Sequence, residues 1–91
     1  MAGNLGANFY QKLVEACNEL GMKPEDLINI MISESGLNPA ARNPGGGASG
    51  LVQFMPSVLK GVGFNGTNDD LIKLTGEEQI PYIKNLIKGN M

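Results

Sequence analysis

Apolar residues recur at spacings of three and four almost throughout the chain, and no sustained alternation of period two interrupts them. The pattern predicts a mainly α fold. Phe9, Leu13, Ala16, Cys17 and Leu20 make one stripe, which predicts a first helix over residues 8–20, closed by Gly21. A second helix is expected from Pro24, a residue suited to the first helical position. Glu25 and Asp26 then sit at the positive end of the helix dipole. Leu27, Ile28, Ile30, Met31 and Ile32 continue it until Gly36. Residues 38–49 break the pattern with two Asn-Pro pairs and the run Gly45-Gly46-Gly47, and are read as irregular backbone within one domain. Apolar positions resume at Leu51, with a short helix expected after Pro56 and another over residues 70–74 capped by Asn68 or Asp69. Thr75 followed three residues later by Glu78 is a capping-box pattern for a last helix, in which Pro81 is expected to separate the first turn from residues 82–88.

The composition narrows the chemistry these elements can carry. The 91 residues include no His and one Cys, which excludes His-based triads, imidazole metal sites, a disulfide framework and a zinc ribbon. Seven basic and nine acidic side chains give a net charge of −2, with no basic stripe of the kind nucleic acid requires. No apolar run is long enough to span a bilayer, and the first residues lack the basic and apolar regions of a signal peptide. Cys17, within an apolar stripe, is expected to be a buried small hydrophobe. The length allows a single domain over 1–91, burying roughly 60–65% of its unfolded surface. Carboxylates, hydroxyls, amides and backbone remain for chemistry, with no cofactor or metal expected.

Among the carboxylates, Glu34 stands out. On a wheel of about 100° per residue it falls inside the apolar arc of the second helix, between Ile30 and Leu27. A carboxylate turned toward a core is costly when charged, and the helix C-terminus also disfavours negative charge. Both effects raise the pKa and favour a protonated group suited to general acid catalysis. The competing reading is that Glu34 frays into solvent as the helix ends.

Two motifs bear on that choice. Glu34-Ser35-Gly36-Leu37-Asn38-Pro39 is followed by Ala41-Arg42-Asn43-Pro44, the glycine run, and Ala48-Ser49-Gly50-Leu51-Val52-Gln53-Phe54-Met55-Pro56. The chain resembles the SLT-type lytic transglycosylases of the lysozyme-like superfamily, especially their phage virion-associated members. In that family a Glu-Ser pair ends a buried helix and a Gly-Leu-x-Gln segment leads to Met-Pro. The resemblance spans about Lys23 to Ile87, with the segment from Thr75 to Tyr82 looking like a phage-type continuation. It implies a lysozyme-like helical domain that cleaves the bond between N-acetylmuramic acid and N-acetylglucosamine in peptidoglycan. Glu34 would be the acid/base and Ser35 would hold or polarise the site. Gln53 would bind sugar, and the backbone at Gly50 and Leu51 would form part of the glycan-contacting wall. Phe54, beside Gln53, would be the best candidate for stacking on a sugar.

No Asp or Glu occurs between Glu34 and Asp69, so the second carboxylate usual in glycosidases has no place in the central segment. That suits the transglycosylase route implied by the resemblance, in which the sugar's own 6-hydroxyl attacks and a 1,6-anhydro product forms; a hydrolytic, goose-type outcome stays open, with Asp69, Asp70, Glu77 or Glu78 as acids that folding could bring near. The family's later Tyr-containing motif is not met before Met91, so the domain is expected to lack the family's C-terminal part. The cleft would then lack a wall, be completed by another chain or other virion proteins, or belong to an excised fragment, and its place would be the virion, the periplasm or the cell wall. The alternative is a non-catalytic virion structural or glycan-binding module of the same fold. Other patterns are weaker. Gly45 to Gly50 has P-loop spacing without its Lys, Asn65-Gly66-Thr67 is a sequon in a turn, and Asp69-Asp70 reads as a helix cap.

Overall fold

The computed structural model describes residues 4–89; the reading of the first residues falls partly on 1–3, outside the described residues. Four α-helices, α1 (Phe9–Leu20), α2 (Pro24–Ser35), α3 (Asn68–Leu71) and α4 (Gly76–Gly89), and a 3-10 helix at Pro56–Val58 make up the regular structure among them. None is long and apolar enough to cross a membrane. The mainly helical class read from the apolar spacing is the class observed, as the resemblance to a lysozyme-like domain also implied.

Helix α1 buries the five residues of its stripe, and Cys17 among them has its thiol pKa raised, first by burial and then by the negative charge of Asp26. Both α1 and α2 end on a left-handed glycine. At α2 the N–H of Gly36 donates to Ile32 O (2.9 Å) and that of Leu37 to Met31 O (3.2 Å), which satisfies the last carbonyls of the helix. Helix α4 packs along α1 with Ile80 and Ile83 inward. Its first free N–H groups are taken by the N-terminal segment, Gly76 N donating to Asn4 O (2.9 Å) and Glu77 N to Leu5 O (2.7 Å). A side chain at Gly76 would meet Leu5 and Phe9 at about 3 Å, so glycine is what lets the two segments close.

Two expectations are corrected. Helix α3 starts earlier than read and is capped by Thr67, not by Asn68 or Asp69. Thr67 and Asp70 exchange hydrogen bonds as a capping box, which fixes the start at Asn68. The Thr75–Glu78 box forms as read, but α4 runs unbroken through Pro81. Pro81 is exposed, so the helix gives up the one ladder bond to the Glu77 carbonyl on its wet side and continues.

Between α2 and α3 the chain forms no full strand among the described residues. Antiparallel bridges link Arg42 to Ser49 and Ser49 to Phe54, the latter through bonds of 3.0 and 2.7 Å. Ala48, Leu51 and Phe54 from this segment are buried, as are the α1 stripe, Leu27 and Met31 of α2, Leu71 of α3, and Ile80 and Ile83 of α4. Leu51 and Phe54 join the same core cluster as those helices.

Candidate functional site

Glu34 is the penultimate residue of α2 and is exposed. This corrects the wheel argument. Only Leu27 and Met31 of the apolar arc are buried, while Ile30 and Ile32 are 44% and 52% exposed. Glu34 lies on nearly the same side as Leu27 but seven residues further on, where that side is open to solvent. Burial, the premise for a desolvated acid in the free protein, is therefore absent. The carboxylate sits at the edge of a shallow depression of about 360 Å³, lined by Asn29, Ile30, Ser33 and Glu34 and holding no second acid among the described residues.

Ser35 faces the other way. Its Oγ lies 2.7 Å from the Leu51 carbonyl and 2.9 Å from that of Met31, and it accepts from the Asn38 N–H at 3.3 Å. The hydroxyl thus fastens the end of α2 to the Gly-Leu-x-Gln segment. The two motifs, well separated in sequence, meet through this bond.

That segment is a tight turn with its interior on the core. Gly50 is buried at φ +87°, and a Cβ there would stand 2.9 Å from Gln79 Oε1. Its N–H donates to Ala41 O (2.9 Å) and its carbonyl accepts from both the backbone N–H and the side-chain amide of Gln53. Leu51 and Phe54 are 0% and 1% exposed. Phe54 is closed to any stacking sugar, and the polar backbone atoms of Gly50 and Leu51 are occupied within the protein, so none of the three offers the contact surface expected of it. Gln53 is half-buried and takes a left-handed φ of +59°, unusual for a residue with a Cβ. Its Nε2 donates to Gly50 O (3.0 Å) and reaches Ala41 O at 3.5 Å, whereas among the described residues its Oε1 receives no hydrogen bond.

Two polar residues that hold this arrangement lie outside both motifs and carry no such role in the reading of the sequence. Asn68 donates to Ser49 Oγ (2.6 Å) and Phe54 O (2.9 Å). Gln79, fully buried, accepts from Leu51 N–H (3.0 Å) and donates to Pro39 O (2.7 Å) and Leu71 O (3.3 Å). The signal for Gln79 is its place in the stripe Gly76, Gln79, Ile80, Ile83, a polar residue at a core position. Asn68 has no comparable signal, because its role depends on where the central segment lands.

Tyr82 packs edge-on against Phe64, ring centres 5.2 Å apart, and Tyr10 is 61% exposed on α1. Asp69 pairs with Arg42, both exposed, which ties α3 to the central segment. A second, more enclosed concavity of about 340 Å³ lies between α1 and α4, where the ion pair of Lys84 with Glu19 sits among Lys12, Glu15, Glu77 and Glu78. It contains no residue of either motif.

A family model described as the transglycosylase SLT domain matches residues 12–79, which takes in most of α1, then α2, both motifs, α3 and the start of α4. No curated protein and no solved structure matches the chain significantly.

Proposed function

From the premise that this chain belongs to the transglycosylase SLT domain family, we propose that it cleaves peptidoglycan glycan strands with Glu34 as the single acid/base. The observation that carries the reading is the Ser35–Leu51 bond, which brings the segment bearing Gln53 against the end of the helix bearing Glu34. The exposed carboxyl is open to a polymeric substrate, and a glycan laid over it excludes water and favours its neutral, proton-donating form. Glu34 then protonates the glycosidic oxygen as the bond from C1 of N-acetylmuramic acid breaks. The resulting carboxylate takes the proton of that sugar's 6-hydroxyl as O6 bonds to C1, giving the 1,6-anhydro product and returning Glu34 to its starting state. The lack of a second acid in the depression favours this one-carboxylate route over hydrolysis by a flanking pair. The unbonded Oε1 of Gln53 is suited to accept from a sugar hydroxyl or amide.

Glu34→Gln is expected to lower muropeptide release from purified cell walls by about 10²–10⁴-fold with the helix content unchanged. Mass spectrometry of the parent's products should find anhydro-muramic ends. Parent-like digestion by the variant would refute the assignment of Glu34, and reducing ends would replace the transglycosylase route by hydrolysis. The setting proposed is a phage virion or lysis factor acting at the bacterial wall, as the phage-type motifs between Glu34 and Tyr82 suggest.

The bare outer face of α2, with Ile30 and Ile32 exposed, favours a second reading, a glycan-binding or virion structural module without turnover. Binding of muropeptides with no product on long incubation would establish it.

A further inference from the structure

The catalytic reading requires Glu34 and Gln53 to keep a fixed relation, yet they lie on different elements and are joined by an irregular segment. Leu51 is the bridge between them. Its carbonyl accepts from Ser35, the neighbour of Glu34, and its N–H donates to Gln79 Oε1 at 3.0 Å. Gln53 follows two residues later and closes the turn by donating from its backbone N–H to Gly50 O (3.2 Å).

Gln79 is the part of this frame that belongs to neither motif. It is fully buried, and its Nε2 donates to two carbonyls, those of Pro39 and Leu71. One side chain on α4 therefore grips the segment just after α2, the turn carrying Gln53 and the end of α3. The geometry around it is intolerant, since Gly50 approaches so closely that any Cβ would press on Gln79 Oε1.

Resting on the function proposed above, we propose that Gln79 is a positioning residue for the reaction: through the Leu51 peptide it sets where Gln53 stands relative to Glu34. The carboxamide is specified in both halves, because Oε1 must accept and Nε2 must donate. Its partners are all backbone groups, and neither they nor the amide itself titrates, so Gln79→Glu introduces a proton switch that the parent lacks. Ionised, the introduced carboxylate would keep the acceptor for Leu51 and turn a bare oxygen on the Pro39 and Leu71 carbonyls. Protonated, it regains one donor.

The test compares Gln79→Glu and Gln79→Met with the parent on purified glycan strands, at a temperature where each is folded by circular dichroism. Native-state amide exchange is read alongside. At alkaline pH, where even a carboxyl introduced at this buried position is ionised, both variants are expected to lose about 10- to 100-fold in kcat per folded molecule, with a smaller change in KM. Gln79→Glu should recover toward the parent as pH falls, and Gln79→Met should not. Exchange at Leu51 and Gln53 should accelerate at least about tenfold more than at Leu13 in α1. Parent-like kcat per folded molecule, or exchange at Leu51 and Gln53 that merely tracks α1, overturns the proposal. If the parent itself releases no product, the catalytic reading fails and the exchange result alone decides whether Gln79 holds the turn. If the Glu variant does not fold, the Met variant carries both measurements.

Discussion

Helices α1 and α2 have the same length and the same glycine-terminated ending, and both are rich in apolar residues, but they are buried very differently. Helix α1 turns Phe9, Leu13, Ala16, Cys17 and Leu20 into the core and lies along α4, whereas α2 commits Leu27 and Met31 and leaves Ile30, Ile32 and Glu34 outside. The first is the stability-bearing side of the molecule. The second presents a mixed apolar and carboxylate surface on a helix whose last residue, Ser35, is bonded to the Leu51 carbonyl. An apolar stripe thus means a core face only where another element arrives to cover it, and at the end of α2 the cover reaches Met31 and Ser35 but not Glu34.

The comparison is broken most sharply by truncating one apolar side chain on each helix. Leu13→Ala empties a fully buried position and is expected to lower unfolding free energy by about 2–5 kcal/mol. Ile32→Ala removes an exposed side chain and should change it by less than about 0.5 kcal/mol. Urea titrations of the two variants check this, and similar losses would mean that α2 is covered in solution.

A smaller effect is expected at the junction of the two sides. Gly50→Ala adds a Cβ at φ +87° and against Gln79, so a loss of about 1–3 kcal/mol is expected in the same titration. The change should also reduce turnover per folded molecule, because the Gln53 turn shifts. Stability loss with unaltered turnover would separate the two roles.

The smallest effect lies away from both helices, at the cap of α3. The Asp70 carboxyl is held below its usual pKa first by the Thr67 backbone N–H, then by the Thr67 hydroxyl, with a minor contribution from Lys73. A lowered folded value means that the charged form stabilises the fold above the unfolded pKa and that this contribution fades as pH falls through the folded value. Asp70→Asn should therefore lower the thermal midpoint slightly at neutral pH and converge with the parent as pH falls through the folded value, which flattens the acid limb. An identical acid limb in the variant would show that the cap is not coupled to folding.

Much of the scaffold is legible without coordinates. The stripes of α1 and α4, the glycine stops, the buried Cys17 and the Thr75–Glu78 box follow from local rules, because helix periodicity and capping act over three to five residues. Local rules mislead where they compete. Pro81 reads as a break, although the wet side of α4 tolerates one lost bond. Thr67 is hidden as a cap because acceptable caps stand in a row from Thr67 to Asp69.

For the site, the sequence by itself determined the residue types available, a lone carboxylate and an amide in two recognisable motifs, with no imidazole to compete. Only the tertiary structure decided how they meet. It turned Glu34 outward, put Leu51 and Phe54 in the core where the motif suggested a contact surface, and recruited Gln79 and Asn68 to hold the turn. The reason is physical. Which side chains face solvent near a helix end, and which buried amide satisfies a given peptide N–H, depend on partners as far as 14 to 40 residues away in sequence, beyond the reach of any local pattern.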